Sequence, residues 1–543
     1  MIRRFLFALA TLACFAAPSF AQDAPVVDAP AGKMKGAAEG AIDIFKGIPF
    51  ARPPVGALRW RAPQILARWD GVKETTAYGP ECMQPVSAMA TVYTEPPAPM
   101  SEDCLTLNIW VPANAKNAPV FFWIYGGALV GGASREPLYD GAKLASRGAI
   151  VVTINYRLGV LGWLAHPDLS AENKFHISGN YGLLDQIMAL EWVHNNIGAF
   201  GGDGSNVTIA GESAGGLSVM YLMASPAARG LFAKAIAESA YMVSVPELHR
   251  AKFGSPSAED TGKILVTMLQ ASGIGDLRAM NAETLTNAAP KAGYFPLPTV
   301  DGQLVPEQLV DVFDKGEEAP VPILAGFNQG EIRSLRILAP KVPSSAAEYE
   351  KTIREKYGDL ADKFLSLYPS SNLEQSIIAT TRDALYAWTS ERLVRKQTAQ
   401  GEPSYLYMFD HGYPAMDDAG LHAFHGSELP YVFGTTDRTG AMWPKIPDSP
   451  EEAKLTDAMM DYWISFARTG HPVAAGSPDW PAFDATRAYM HFTATPQPSE
   501  HVLPGMYELD EEVVCRRHTA GGIAWNWNVG LASPAIPPKA GCQ

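Results

Sequence analysis

Two stretches of the chain carry residue types and spacings that could do chemistry. At Gly211-Glu212-Ser213-Ala214-Gly215 a serine stands between two glycines, and at 125–132, "YGGALVGG", four glycines fall within eight residues. A serine on a tight turn between a strand and a helix is exposed for nucleophilic attack, and glycines two before and two after it remove side chains that would clash there. A glycine-rich turn brings main-chain N–H groups close to something negative, either a phosphate or an oxyanion. A phosphate loop calls for Gly-Lys-Ser/Thr after its glycines, whereas Ala133, Ser134 and Arg135 follow here.

Both stretches need elements that hold them. The apolar, partly β-branched run at 207–210 predicts a strand leading into Ser213, and 217–223 predicts the helix leaving it, whose first N–H groups point at the reacting oxygen. Apolar runs at 120–124, 150–154, 207–210, 233–237, 321–325 and 404–409, separated by helical patterns, predict an α/β fold with a mostly parallel central sheet and helices on both faces. From about 182 to 195 the residues Leu183, Ile187 and Leu190, with Leu184, Met188 and Trp192, recur at helical spacing and predict a core-facing helix. The segment from about 250 to 400 is expected to form helices and loops over the site, where substrate choice is set.

The chain has 543 residues, 47% of them hydrophobic, with a net charge of -14. It can bury a large core, and without a linker, repeat or low-complexity tract it is expected to form a single domain over 22–543. No broad Lys/Arg cluster is present, which excludes nucleic acid as a partner. Arg3 and Arg4, the apolar stretch 5–17 and Ser19-Phe20-Ala21 have the pattern of a cleaved export signal over 1–21. That predicts a periplasmic or secreted protein with no membrane span in the mature chain. The rival readings are a retained anchor, for which the stretch is short, and a lipoprotein held through Cys14, for which Thr11 stands where Leu is usual. Cys82, Cys104, Cys515 and Cys542 remain after cleavage, an even number that favours two disulfides; pairing of chain neighbours is the simplest of three connectivities. No spacing suggests a metal site.

An activated serine needs a histidine base, and the histidine needs a carboxylate. Here the chain resembles the type-B carboxylesterases, the cholinesterase-like branch of the α/β-hydrolase fold, along nearly all its mature length. The resemblance is carried by "FKGIPFARPPVGALRWRAPQ" from 45, "SEDCLTLNIWVP" from 101, "WIYGGALVGG" from 123 and "GNYGLLDQIMALEWVHNNIGAFGGDGSNVTIAGESAGG" from 179. It continues through "GFNQGE" from 326, "HAFHGSELPYVFG" from 422 and "MMDYWISFARTGHPV" from 459. It implies that Ser213 is the nucleophile. The family pattern G-x-N-x-x-E falls on Gly326, Asn328 and Glu331, and H-G-x-E-L on His425, Gly426, Glu428 and Leu429, which gives a triad of Ser213, Glu331 and His425. His422 and His411 are the fallback bases.

With those residues in place the glycine-rich loop is expected to be an oxyanion hole whose donors are the N–H groups of Gly127, Ala128 and Ala214. Ala128 stands where the family normally has a third glycine. Glu212 resembles a buried family glutamate near the site, and Ser239 a serine hydrogen-bonded around the acid. Cys82 and Cys104 match the family's first disulfide; the pair Cys515 and Cys542 has no such support. The resemblance implies hydrolysis of small-molecule carboxylic esters through an acyl-enzyme, without cofactor or metal, with amides or carbamates as slower substrates. Two readings compete with it: a non-catalytic cholinesterase-like binding domain, which lacks part of the triad, and a dehalogenase or epoxide hydrolase, which needs a carboxylate in place of Ser213. Oligomeric state and the physiological ester are not legible at this level.

Overall fold

A computed structural model describes residues 24–86, 90–539, 541 and 542. The expected export signal over 1–21, with Cys14, lies outside the described residues.

Eleven strands form the main sheet: β1 (Ala37–Glu39), β2 (Ile42–Pro49), β3 (Thr106–Pro112), β4 (Ala118–Ile124), β5 (Ile150–Ile154), β6 (Gly202–Glu212), β7 (Lys234–Glu238), β8 (Ile323–Asn328), β9 (Ser404–Phe409), β10 (Ala488–Phe492) and β11 (Pro496–Glu500). Their spatial order is β11-β10-β9-β8-β7-β6-β4-β5-β3-β2-β1. The pairs from β5 through β4, β6, β7, β8 and β9 to β10 are parallel, and antiparallel strands close both edges. This is the mostly parallel α/β sheet that the apolar runs predict, in the α/β-hydrolase arrangement that the family resemblance implies. Every residue of β4, β5, β7, β8 and β9 is buried, as expected for parallel strands covered on both faces.

The strand into Ser213 is longer than its apolar core, because the polar stretch 202–206 extends it and Gly202 pairs with Ala118. Toward the edges the apolar runs shorten; β2 mixes buried and half-buried residues, and its pairing with β3 shifts register between Phe45 and Ile48. The predicted helix is α1 (Tyr181–Asn196), with Leu183, Ile187 and Leu190 buried. The helix leaving Ser213 is α2 (Ala214–Ala224), buried along its whole length. Around β8, the segment 250–400 is helical, as expected. Both neighbour pairings of cysteine are formed, Cys82–Cys104 with Cα atoms 5.0 Å apart and Cys515–Cys542 with 6.0 Å.

Candidate active site

β6 ends at Glu212 and α2 begins at Ala214, so Ser213 is the whole of the turn between them. Its backbone has φ +56° and ψ -120°, a conformation costly for any residue with a Cβ. The surroundings dictate it. A Cβ on Gly215 would stand 2.0 Å from the Ile124 carbonyl oxygen, and one on Gly211 would stand 2.5 Å from the Gly215 carbonyl carbon. Only bare backbone lets strand and helix approach this closely, and the Ser213 N–H is fixed by donating to Glu238 O at 2.9 Å.

β8 leads to Glu331, the expected acid. Asn328 closes the strand, and its N–H donates to Glu331 Oε1 at 2.8 Å. The other carboxylate oxygen, Oε2, lies 2.5 Å from His425 Nδ1, so the ring N–H donates to a carboxylate that is fully buried. The acid and histidine loops are joined by main chain: Gly330 N–H donates to Ala423 O at 2.9 Å, and Gly330 bridges Phe424 in the manner of a parallel strand. Asn328 Nδ2 donates to Phe424 O at 2.8 Å and to Glu428, adding a side-chain tie between the same loops.

The remaining ring nitrogen, His425 Nε2, faces Glu212 Oε1 at 3.0 Å. Among the described residues Ser213 Oγ makes no hydrogen bond to His425, whose Nε2 is engaged by Glu212 instead. Catalytic hydrogen bonds are often loose before substrate binds. Burial disfavours a charged imidazole, but the Glu212 and Glu331 carboxylates outweigh it and hold His425 at about 9. Glu212 is itself pushed up to about 7 by burial, which the His425 charge opposes. Behind it Glu238, bonded to Trp463 Nε1 at 2.9 Å, is pushed up to about 8 by burial, and burial carries Glu428 well above the usual carboxylate range.

Across from Ser213 lies the glycine-rich loop; a Cβ on Gly126 would stand 3.0 Å from Ser213 Cβ. Among the described residues the N–H groups of Gly127, Ala128 and Ala214 donate to no protein acceptor. Ala128 and Leu129 are left-handed, with φ +56° and +61°. Three unspent donors beside a serine on a strained turn suit a negative oxygen formed at that point.

The other candidates fall elsewhere. His411 is buried against Glu452, with Nε2 3.0 Å from Oε2. His422 is held between Asp410 and Asp417 at 3.0 and 2.7 Å, and His491 completes that cluster at 2.9 Å from Asp410. Neither is free to serve as base. Among the described residues the Ser239 hydroxyl is buried without a hydrogen-bond partner, and its tie to the strand before Glu331 is backbone, from its N–H to Gly326 O at 2.8 Å. The left-handed φ of +46° at Ser239 goes with that backbone bond. Two residues had no signal in the sequence. Tyr93 donates to the His425 carbonyl at 2.8 Å and contacts Ser334 Oγ at 2.6 Å, while Tyr386 lays its ring 5.2 Å from the His425 ring. Each comes from a segment whose path no periodicity fixes.

The family profile described as "Carboxylesterase family" matches residues 23–506. The para-nitrobenzyl esterase of Bacillus subtilis (strain 168) is 38% identical over 476 residues, covering 84% of this chain and 92% of that protein. The fumonisin B1 esterase of Sphingopyxis macrogoltabida is 36% identical, with 84% of each chain covered. Among solved structures, a PNB esterase superposes with a TM-score of 0.78 at 35% identity, over 89% of this chain and 99% of the other. A Geobacillus stearothermophilus carboxylesterase superposes with a TM-score of 0.76 at 32% identity, over the same shares.

Proposed function

Because the chain belongs to the carboxylesterase family and is accordingly a carboxylic ester hydrolase, we propose that it works through a covalent acyl-enzyme on Ser213, with His425 as general base and Glu331 as the partner of His425. The observation that carries this reading is the Glu331–His425 contact of 2.5 Å beside a serine on a strained strand-to-helix turn.

Ester binding brings His425 Nε2 from Glu212 to Ser213 Oγ. The serine oxygen attacks the ester carbonyl carbon while His425 takes its proton, and Glu331 stabilises the imidazolium. Negative charge moves to the carbonyl oxygen, where the N–H groups of Gly127, Ala128 and Ala214 receive it. Collapse breaks the bond to the alcohol oxygen, which leaves with the proton from His425. Water then attacks acyl-Ser213 as His425 accepts its proton, the acyl–Oγ bond breaks, His425 returns the proton to Ser213, and the carboxylic acid departs. Every step uses residues of the chain.

The substrates are small-molecule esters, and the para-nitrobenzyl esterase among the relatives makes aryl and benzyl esters the first to try. Amides and carbamates are expected to react more slowly. We also assign a cleaved leader over 1–21, a single catalytic domain over 22–543 and an exported location. The leader pattern and the two disulfides, which are consistent with an extracellular location, support export. A panel of p-nitrophenyl esters of graded acyl length, run on the wild type and on Ser213→Ala, tests the reading. Loss of about four orders of magnitude or more in kcat is expected for Ser213→Ala, and equal activity in both proteins overturns it.

A further inference from the structure

We infer that Gln84 is a positioning residue for the oxyanion hole: it clamps the 126–132 loop so that the Ala128 N–H faces the reacting oxygen. The inference rests on the proposed role of that loop.

Gln84 Oε1 accepts the Gly132 N–H at 2.9 Å, and its Nε2 donates to Gly132 O at 3.2 Å. One side-chain amide therefore satisfies both polar groups of a single loop residue, as a neighbouring strand would. The amide oxygen also abuts the loop, since a Cβ on Gly131 would stand 2.8 Å from Gln84 Oε1.

From there the constraint passes to the donor. Gly131 N–H and Val130 N–H both donate to Gly127 O, at 3.1 and 3.0 Å. In a trans peptide the carbonyl of one residue and the N–H of the next point in opposite directions. Two donors that capture Gly127 O from beneath the loop thus turn the Ala128 N–H toward Ser213. A Cβ on Gly127 would stand 2.2 Å from Gly131 O, so the arrangement has no room to slide.

A clamp is needed because Ala128 and Leu129 are consecutive left-handed residues, neither of them glycine, and such backbone persists only when its surroundings over-determine it. On the far side Gly159 N–H donates to Leu129 O at 2.8 Å; on the near side Gln84 supplies the hold. Gln84 is itself anchored, since Cys82, two residues earlier, is bonded to Cys104, and Cys104 O accepts from Asn155 Nδ2 at 3.2 Å.

Gln84→Met keeps the side-chain length and removes both hydrogen bonds, while Gln84→Glu keeps only the acceptor for the Gly132 N–H. For each, kcat and KM on a p-nitrophenyl ester, melting temperature and the inhibition constant of an aryl trifluoromethyl ketone are measured, because the ketone adds Ser213 and seats an oxyanion in the hole. Gln84→Met is expected to lower kcat about tenfold with KM unchanged, to weaken the ketone by the same factor, and to melt near the wild type. Gln84→Glu should fall between the two, and should carry the test if Gln84→Met does not fold. Wild-type kcat and wild-type ketone affinity in either variant overturn the proposal, as does a kcat loss with ketone affinity unchanged. A wild-type protein that hydrolyses the ester but is not inhibited by the ketone overturns the underlying reading of the loop instead.

Discussion

Gly330 sits where the acid loop crosses the histidine loop, and Gly330→Ala should separate the two halves of the proposed triad without touching either. A Cβ there would stand 1.8 Å from His422 O, with Leu421 O at 2.9 Å and Ala423 O at 3.0 Å. All three neighbours are backbone, so no side chain can swing away. An ordinary carbon–oxygen contact is about 3.3 Å, so the loops must part by roughly 1.5 Å. The Glu331–His425 contact starts at 2.5 Å and would open beyond hydrogen-bond range. Misplacing a catalytic group by about 1 Å can cost about a hundredfold in rate, and losing the acid's control of the histidine about ten-thousandfold, so kcat should fall between those limits. Overpacking of this kind costs about 1 to 3 kcal/mol, which leaves the protein folded. The assay is kcat on p-nitrophenyl butyrate beside a thermal melt, with Gly275→Ala as control, because nothing lies within 4 Å of a Cβ there. A folded Gly330→Ala with wild-type kcat would refute the argument that this crossing sets the acid–histidine distance.

Four further outcomes are expected. His425 is held at about 9 by Glu212 and Glu331 against burial, and only the neutral ring can accept a proton, so kcat/KM should rise with pH above the usual histidine range; Glu212→Gln should move that limb to lower pH, and an unmoved limb counts against Glu212 as its cause. Because the folded value is raised, the same contact favours the folded state fully below the ordinary histidine value and is lost as pH climbs through about 9, which thermal melts across that window can follow. Ala128 is left-handed in the proposed oxyanion loop, so Ala128→Gly should raise hydrolysis of tert-butyl esters relative to primary esters; an unchanged ratio contradicts a steric role for its methyl group. Replacing Cys515 and Cys542 by serine opens a link spanning 27 residues, and should lower stability by about 3.5 kcal/mol in the chain-entropy description while leaving kcat unaltered, as melting and turnover measured together will tell.

Local physics made part of this molecule legible in its sequence. The turn at Ser213 announces itself because its glycines answer to contacts within the motif and with the adjoining strand, such as Gly215 against Ile124 O. The central strands are legible because a strand buried on both faces must be an unbroken apolar run. Strands next to the sheet edges, such as β2 and β10, obey no such rule and escaped. The pairing of Glu331 with His425, 94 residues apart, follows from no spacing and came from resemblance alone. Resemblance also has limits: it offered a hydrogen bond at Ser239 that its buried hydroxyl does not make. Gln84 and Tyr93 were silent for the same reason that they matter, since each reaches the site across long stretches of chain and leaves no local pattern.

The central claim, that Ser213 becomes acylated, is tested most directly by mixing the protein with p-nitrophenyl acetate and quenching in acid within the first turnover. Intact-mass and peptide mass spectrometry then locate the acetyl group. One acetyl group per protein on the peptide holding Ser213, coincident with a burst of p-nitrophenol and absent from Ser213→Ala, is the predicted result. Steady hydrolysis with no acylated peptide, or acylation that persists in Ser213→Ala, would contradict it.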